Sequence, residues 1–142
     1  MPRVGTDTSN NSDCPVENKP LRKFFWGAVL QILYKIIDAA AWGEAVAGGR
    51  FSGAAIDLRD GYIHLSTSVQ AKETARLHFA GVSNLLLVAI DEHTLAQDLK
   101  WEPSRGGQLF PHVYGVIDPS QILWTKALPW DGAVHVFPSE FK

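Results

Sequence analysis

The run Tyr62-Ile63-His64-Leu65-Ser66-Thr67-Ser68-Val69-Gln70 changes its periodicity at the centre. Asp60-Gly61 just before it is a turn signal, and Tyr62 to Ser66 alternates with the two-residue period of a short strand. Thr67 and Gln70 then stand at the Thr-x-x-Gln spacing of a capping box, in which side chains satisfy the free backbone groups of a helix start. Beyond it, Ala71, Thr74, Ala75, His78, Phe79 and Val82 recur at helical spacing and form the expected buried stripe. A strand that feeds directly into a helix is the unit around which the neighbouring segments are placed.

Upstream, Ile32-Leu33-Tyr34-Lys35-Ile36-Ile37 is a β-branched and aromatic run of strand length. Asp38 can cap a helix over Ala39 to Ala47, with Trp42 and Val46 on one face, and Gly48-Gly49 stops it. Downstream, Leu85 to Ile90 is a continuous apolar strand of the kind buried on both faces. Asp98 to Trp101, Val113 to Ile117 and Ile122 to Ala127 are further strands. Strand, helix, strand, helix, strand, then strands without long helices is an α+β order with two main helices. No Gly-x-Gly-x-x-Gly follows the first strand and no Walker-type loop is present, so the two commonest nucleotide-binding designs are absent.

At 142 residues, with 46% hydrophobic and 20% charged residues, the chain can bury one domain's core. A formal charge of -2 supplies no field to draw in nucleic acid or an anionic membrane, and neither is an expected partner. The single cysteine, Cys14, excludes an internal disulfide and a cysteine-clustered metal site, and a cytoplasmic protein is the expectation. Residues 1–31 read as a disordered or non-native N-terminal extension, since the first twenty are polar with almost nothing to bury. Arg22-Lys23 and the apolar run from Phe24 to Leu33 resemble a signal peptide, but a small-residue cleavage pattern is missing and the run is too short to span a bilayer. The domain is expected over residues 32–127, and residues 128–142 read as a loose tail with one terminal strand at most. Oligomeric state stays open.

The chemistry is concentrated in Trp101-Glu102-Pro103-Ser104-Arg105-Gly106-Gly107-Gln108-Leu109-Phe110-Pro111-His112-Val113-Tyr114-Gly115. Gly106 and Gly107 allow a ligand to approach the backbone, and Arg105 beside them suits forked hydrogen bonds to a phosphate or carboxylate. The plainer reading is a polar hairpin with a Glu102–Arg105 surface pair, a contact worth little. On the strand at 62–66, His64 faces the same way as Tyr62 and Ser66, and the same alternation puts His112 and Tyr114 on one face. His64, Ser66, Glu102, Arg105 and His112 are expected to converge on one cleft, with Tyr114 nearby. His78 is expected in the core, and His93 and His135 carry no assignment. His64, His112 and Glu102 number enough for a metal, but no short-range ligand spacing supports one and none is expected. Ser66 and Ser104 lie in no Gly-x-Ser-x-Gly elbow, which leaves a serine-hydrolase reading weak.

Taken together, Ile63-His64-Leu65-Ser66 before a helix, an apolar strand ending in Asp91, and the segments Trp101 to Gly107 and Phe110 to Gly115 resemble the DUF952 family of small uncharacterised bacterial proteins. The likeness covers roughly residues 32–127, and Tyr34-Lys35-Ile36 is similar to that family's opening strand. It implies an ADP-ribosyltransferase-like fold, a split and curved pair of small antiparallel sheets around a cleft that holds NAD in the enzymes. A fainter likeness joins the His-Leu-Ser strand to RNA 2'-phosphotransferases, whose other His and Arg motifs are missing, and Ser66-Thr67-Ser68 resembles the Ser-Thr-Ser of arginine-type toxins. Lys35 falls near a basic or histidine position of those enzymes. The resemblance thus implies Glu102 as the catalytic carboxylate, His64 and Ser66 on the ribose, and Arg105 on the pyrophosphate of NAD or a related nucleotide. Transferase, glycohydrolase or phosphotransferase-like chemistry is one expectation. A non-catalytic binding module for a small phosphate- or carboxylate-bearing ligand is the other.

Overall fold

The computed structural model describes residues 31–142, apart from the side chain of Arg105. The expectations for the N-terminal extension and for the basic and apolar run that ends it lie outside the described residues, as does the anion-binding role of the Arg105 guanidinium. In chain order the elements are β1 (Ile32–Asp38), α1 (Ala39–Ala47), α2 (Ala55–Asp60), β2 (Ile63–His64), α3 (Ser68–His78), β3 (Leu85–Asp91), β4 (Leu99–Pro103), β5 (Leu109–Val113) and β6 (Ile122–Leu128). They form two antiparallel three-stranded sheets, ordered β1-β3-β6 and β2-β5-β4. A single bridge joins them: Tyr34 N donates to Ser66 O at 2.8 Å and Ser66 N to Tyr34 O at 2.9 Å.

The α+β class holds, with three helices where two were expected. α2 is six residues long and falls between Gly49 and Asp60, where no element was expected. Asp38 caps α1 through the Ala41 amide, and Thr67 and Gln70 form the capping box of α3. β3 is the central strand of its sheet, and Leu87, Val88 and Ala89 are fully buried. One core lies between the sheets, where Leu33, Ile37, Val88 and Ile90 meet Ile63, Leu65 and Val113. A second lies on the far side of the first sheet, where Tyr34, Ile36, Leu87 and Leu128 meet Ala71 and Ala75 of α3. At ~1.5–3 kcal/mol per fully buried large aliphatic side chain, these cores are the principal stabilisation.

Several local expectations are corrected. The strand placed at Val113–Ile117 runs instead over Leu109–Val113, so Pro111 and His112 are strand residues. Proline is tolerated because Pro111 O faces the β2 side, where it accepts from Leu65 N at 3.0 Å. Its missing N–H would have pointed to the same side, beyond the two-residue β2. His78 is exposed rather than packed, Val82 is 41% and Val46 50% exposed, and Ala71 and Ala75 alone on the predicted α3 stripe are fully buried. Residues 129–142 are not loose. Phe137 and Phe141 pack on the second core, Phe141 lies 4.8 Å from the Tyr34 ring, and His135 Nε2 lies 2.9 Å from Val82 O.

Candidate functional site

Directly opposite residues on antiparallel strands share a face. The pairs Ile63↔Val113 and His64↔His112, and then Lys100↔His112 and Glu102↔Phe110, therefore sort the second sheet into two faces. Ile63, Leu65, Val113 and Leu99 turn to the core, and His64, His112, Tyr114, Glu102 and Lys100 turn the other way.

Asp57 organises one side of that polar face. It is 1% exposed and accepts from Ala54 N at 2.8 Å, His64 N at 3.1 Å and Lys35 Nζ at 2.9 Å. His64 Nδ1 lies 2.7 Å from its Oδ1. Burial opposes its ionisation, yet the His64 hydrogen bond, the Lys35 ammonium and the Ala54 amide outweigh burial and hold the carboxyl at about 2. Burial pulls the Lys35 ammonium down from its usual range, and Asp57 opposes that. Lys35 Nζ also donates to His64 O at 3.1 Å, so this lysine is engaged in placing His64. Gly53 makes room for the arrangement: its φ is +130°, and a Cβ there would stand 2.9 Å from Asp57 Cβ. Gly53→Ala is expected to cost about 1–3 kcal/mol through backbone strain and the displaced Asp57. Thermal unfolding measures it, and an unchanged midpoint would mean that the loop does not brace Asp57.

The second unit is Glu102 with His112. His112 Nδ1 is 2.7 Å from Glu102 Oε1, and the Tyr114 hydroxyl donates to the same oxygen at 2.8 Å. Both contacts fall on Oε1. The His112 hydrogen bond holds the Glu102 carboxyl below its usual range, against partial burial and with help from Tyr114, and the hydrogen bond from Tyr114 to Glu102 raises the Tyr114 phenol. The His112 side chain is 3% exposed and that of Glu102 34%, so the unit runs from a buried imidazole to a rim carboxylate. With Nδ1 on the carboxylate, Nε2 is the ring nitrogen available to a ligand. Tyr62 stacks on His112 at 4.1 Å, and the His64 and His112 rings meet edge-on at 5.4 Å.

A cavity of about 330 Å³ opens at the junction of the two sheets, lined among others by Lys35, His64, Ser66, Ser104, Phe110 and His112. The structure thus brings His64, Ser66, His112 and Lys35 together. Glu102 reaches the cavity through His112, and Tyr114 through Glu102. Gly106 and Gly107, at φ of +66° and +81°, form the turn of the β4–β5 hairpin, and Gly106 borders a separate depression with Gln70 and Gln108. The Ser66 hydroxyl lies 3.3 Å from that of Thr74. The sequence reading missed Asp57 and Asp60. The available signal was a carboxylate in the otherwise apolar Ala54-Ala55-Ile56-Asp57-Leu58, seven residues before His64.

A larger cavity, about 410 Å³, lies between α3 and residues 130–137. Arg76 and Glu73 on its wall pair with one another at 2.6 Å, Lys72 Nζ stands 5.7 Å over the Phe137 ring, and His135 Nε2 lies against Val82 O. Among the described residues no three His, Cys, Asp or Glu side chains are grouped as metal ligands, and no helix is long and apolar enough to cross a membrane.

A family model described as "Protein of unknown function (DUF952)" matches residues 36–125. The crystal structure of protein CC0527 from Caulobacter crescentus is similar at 46% identity and TM-score 0.71, covering 74% of this chain and 93% of that one. The solution NMR structure of CC0527 gives 48% identity and TM-score 0.65, covering 71% and 87%. No curated protein matches.

Proposed function

The chain belongs to the DUF952 family, and we propose that it binds NAD or a related nucleotide in the cleft at the junction of its sheets and cleaves or transfers at the ribose. In this reading the split pair of antiparallel sheets is an ADP-ribosyltransferase-like fold. The observation that carries it is the Glu102–His112 unit: a carboxylate held below its usual range and fixed by His112 and Tyr114, with His112 itself on the wall of the cavity. A volume of about 330 Å³ sits at the low end of small-ligand sites. It suits the nicotinamide-ribose half of a dinucleotide, with the other half over the rim.

The chemistry follows from the charges. As the bond from nicotinamide nitrogen to ribose carbon breaks, its electron pair leaves with nicotinamide and positive charge develops on the ribose. The Glu102 carboxylate, held ionised, stabilises that charge in place. His112, with Nδ1 on Glu102, offers Nε2 to take the proton from the water or acceptor hydroxyl that bonds to the ribose carbon. His64 and Ser66 face the same cavity as ribose contacts. The expected result is nicotinamide release from NAD by the full chain, together with a thermal shift on adding NAD. Neither release nor binding at millimolar NAD would remove the reading. Saturable binding without release would replace it with a binding module for an anionic ligand.

A further inference from the structure

Both nitrogens of the His64 ring face carboxylates. Nδ1 meets buried Asp57 at 2.7 Å, and Nε2 meets Asp60 Oδ2 at 3.0 Å. Carboxylates only accept, so both ring nitrogens are placed as donors. Lys35 and Asp57 balance one another, and Asp60 is the further anion, at the Nε2 edge. The two carboxylates differ in how firmly they are held. Asp57 cannot withdraw without leaving Lys35 buried and unpaired, which is costly. The Asp60 side chain is 29% exposed, stands at the end of six-residue α2 before left-handed Gly61, and is otherwise held by Arg59, 71% exposed. Solvent-exposed pairs of that kind contribute little and exchange easily.

We infer that the Nε2 edge of His64 is an anion subsite of the cleft, filled by Asp60 in the free protein and by a phosphate of the ligand in the complex. The inference rests on the cleft being the nucleotide site proposed above. The incoming phosphate replaces one anion by another on the same donor, and mutual repulsion swings Asp60 outward to solvent. Asp60 therefore competes with the ligand and sets its affinity.

AMP is the probe, titrated calorimetrically into the full chain. Asp60→Ala is expected to bind AMP about tenfold tighter than wild type, and Asp60→Asn, which keeps the size and removes the charge, shifts affinity in the same direction. His64→Gln is expected to weaken binding about tenfold and to abolish the gain from Asp60→Ala, a coupling that a double-mutant cycle reads directly. The His64 Nε2 resonance moves on AMP addition. If AMP binds wild type in the cleft and Asp60→Ala does not tighten it, the subsite is wrong and the cleft reading stands. If AMP binds neither wild type nor Asp60→Ala, both fall.

Discussion

Replacing Asp57 with alanine is expected to destabilise the fold by about 3–5 kcal/mol, because Lys35 is then left as a buried, unpaired charge. Against a total of ~5–15 kcal/mol for a domain, that is a shift of about 10 °C in melting midpoint at this size. Asp57 also satisfies the part-buried Ala54 and His64 amides, so its loss removes their acceptor as well as the partner of Lys35. Substituting Lys35→Met together with Asp57→Leu removes the unpaired charge and should recover part of the loss, while the amides stay unsatisfied. The pH dependence has a definite sign. A carboxyl held at about 2 in the fold against 3.8 as its ordinary value stabilises above pH ~4, and that contribution disappears as pH falls from about 4 to about 2. In Asp57→Ala this part of the acid transition is missing. A variant with the wild-type midpoint would show that the Lys35–Asp57 pair is not what holds the sheet junction.

Glu102→Gln has the largest expected effect on activity. The amide oxygen still accepts from Tyr114 and His112, and the position is a third exposed, so folding and NAD affinity should stay within a few-fold of wild type. What is lost is the negative charge facing the developing ribosyl cation. Removing a preorganised electrostatic partner of this kind costs about 3–4 kcal/mol in the barrier, a drop of ~10²–10³ in nicotinamide release. His112→Ala should lose the base and loosen Glu102 at once, and combining it with Glu102→Gln should add little, as for residues that act as one unit. An Glu102→Gln protein as active as wild type would take the carboxylate out of the mechanism.

The strand-to-helix switch at Tyr62–Gln70 was readable because each step has a local cause: alternation for the strand, Thr67 and Gln70 for the cap. The same alternation sorted His64 with Ser66 and His112 with Tyr114. Asp57 was not readable. α2 is only six residues, too short for a helical stripe, and the partners that define Asp57 are at 35, 54 and 64, brought together by tertiary structure alone. Pro111 misled in the opposite direction. The expected strand began only at Val113, whereas the short β2 lets Pro111 enter β5, which carries His112 to the cavity wall. The C-terminal segment lacked periodicity, and its anchors Phe137 and Phe141, with ring centroids 4.6 Å apart, pack together on a core laid down by β1, β3 and α3.

Titrating NAD into isotopically labelled protein and following backbone amide resonances locates the ligand on the fold. Shifts are expected at the sheet junction alone, at Lys35, His64, Ser66, Phe110 and His112, with Glu102 and Tyr114 following beside His112. Shifts centred on Lys72, Trp130 and His135 instead would place the ligand in the cavity behind α3 and contradict the cleft reading.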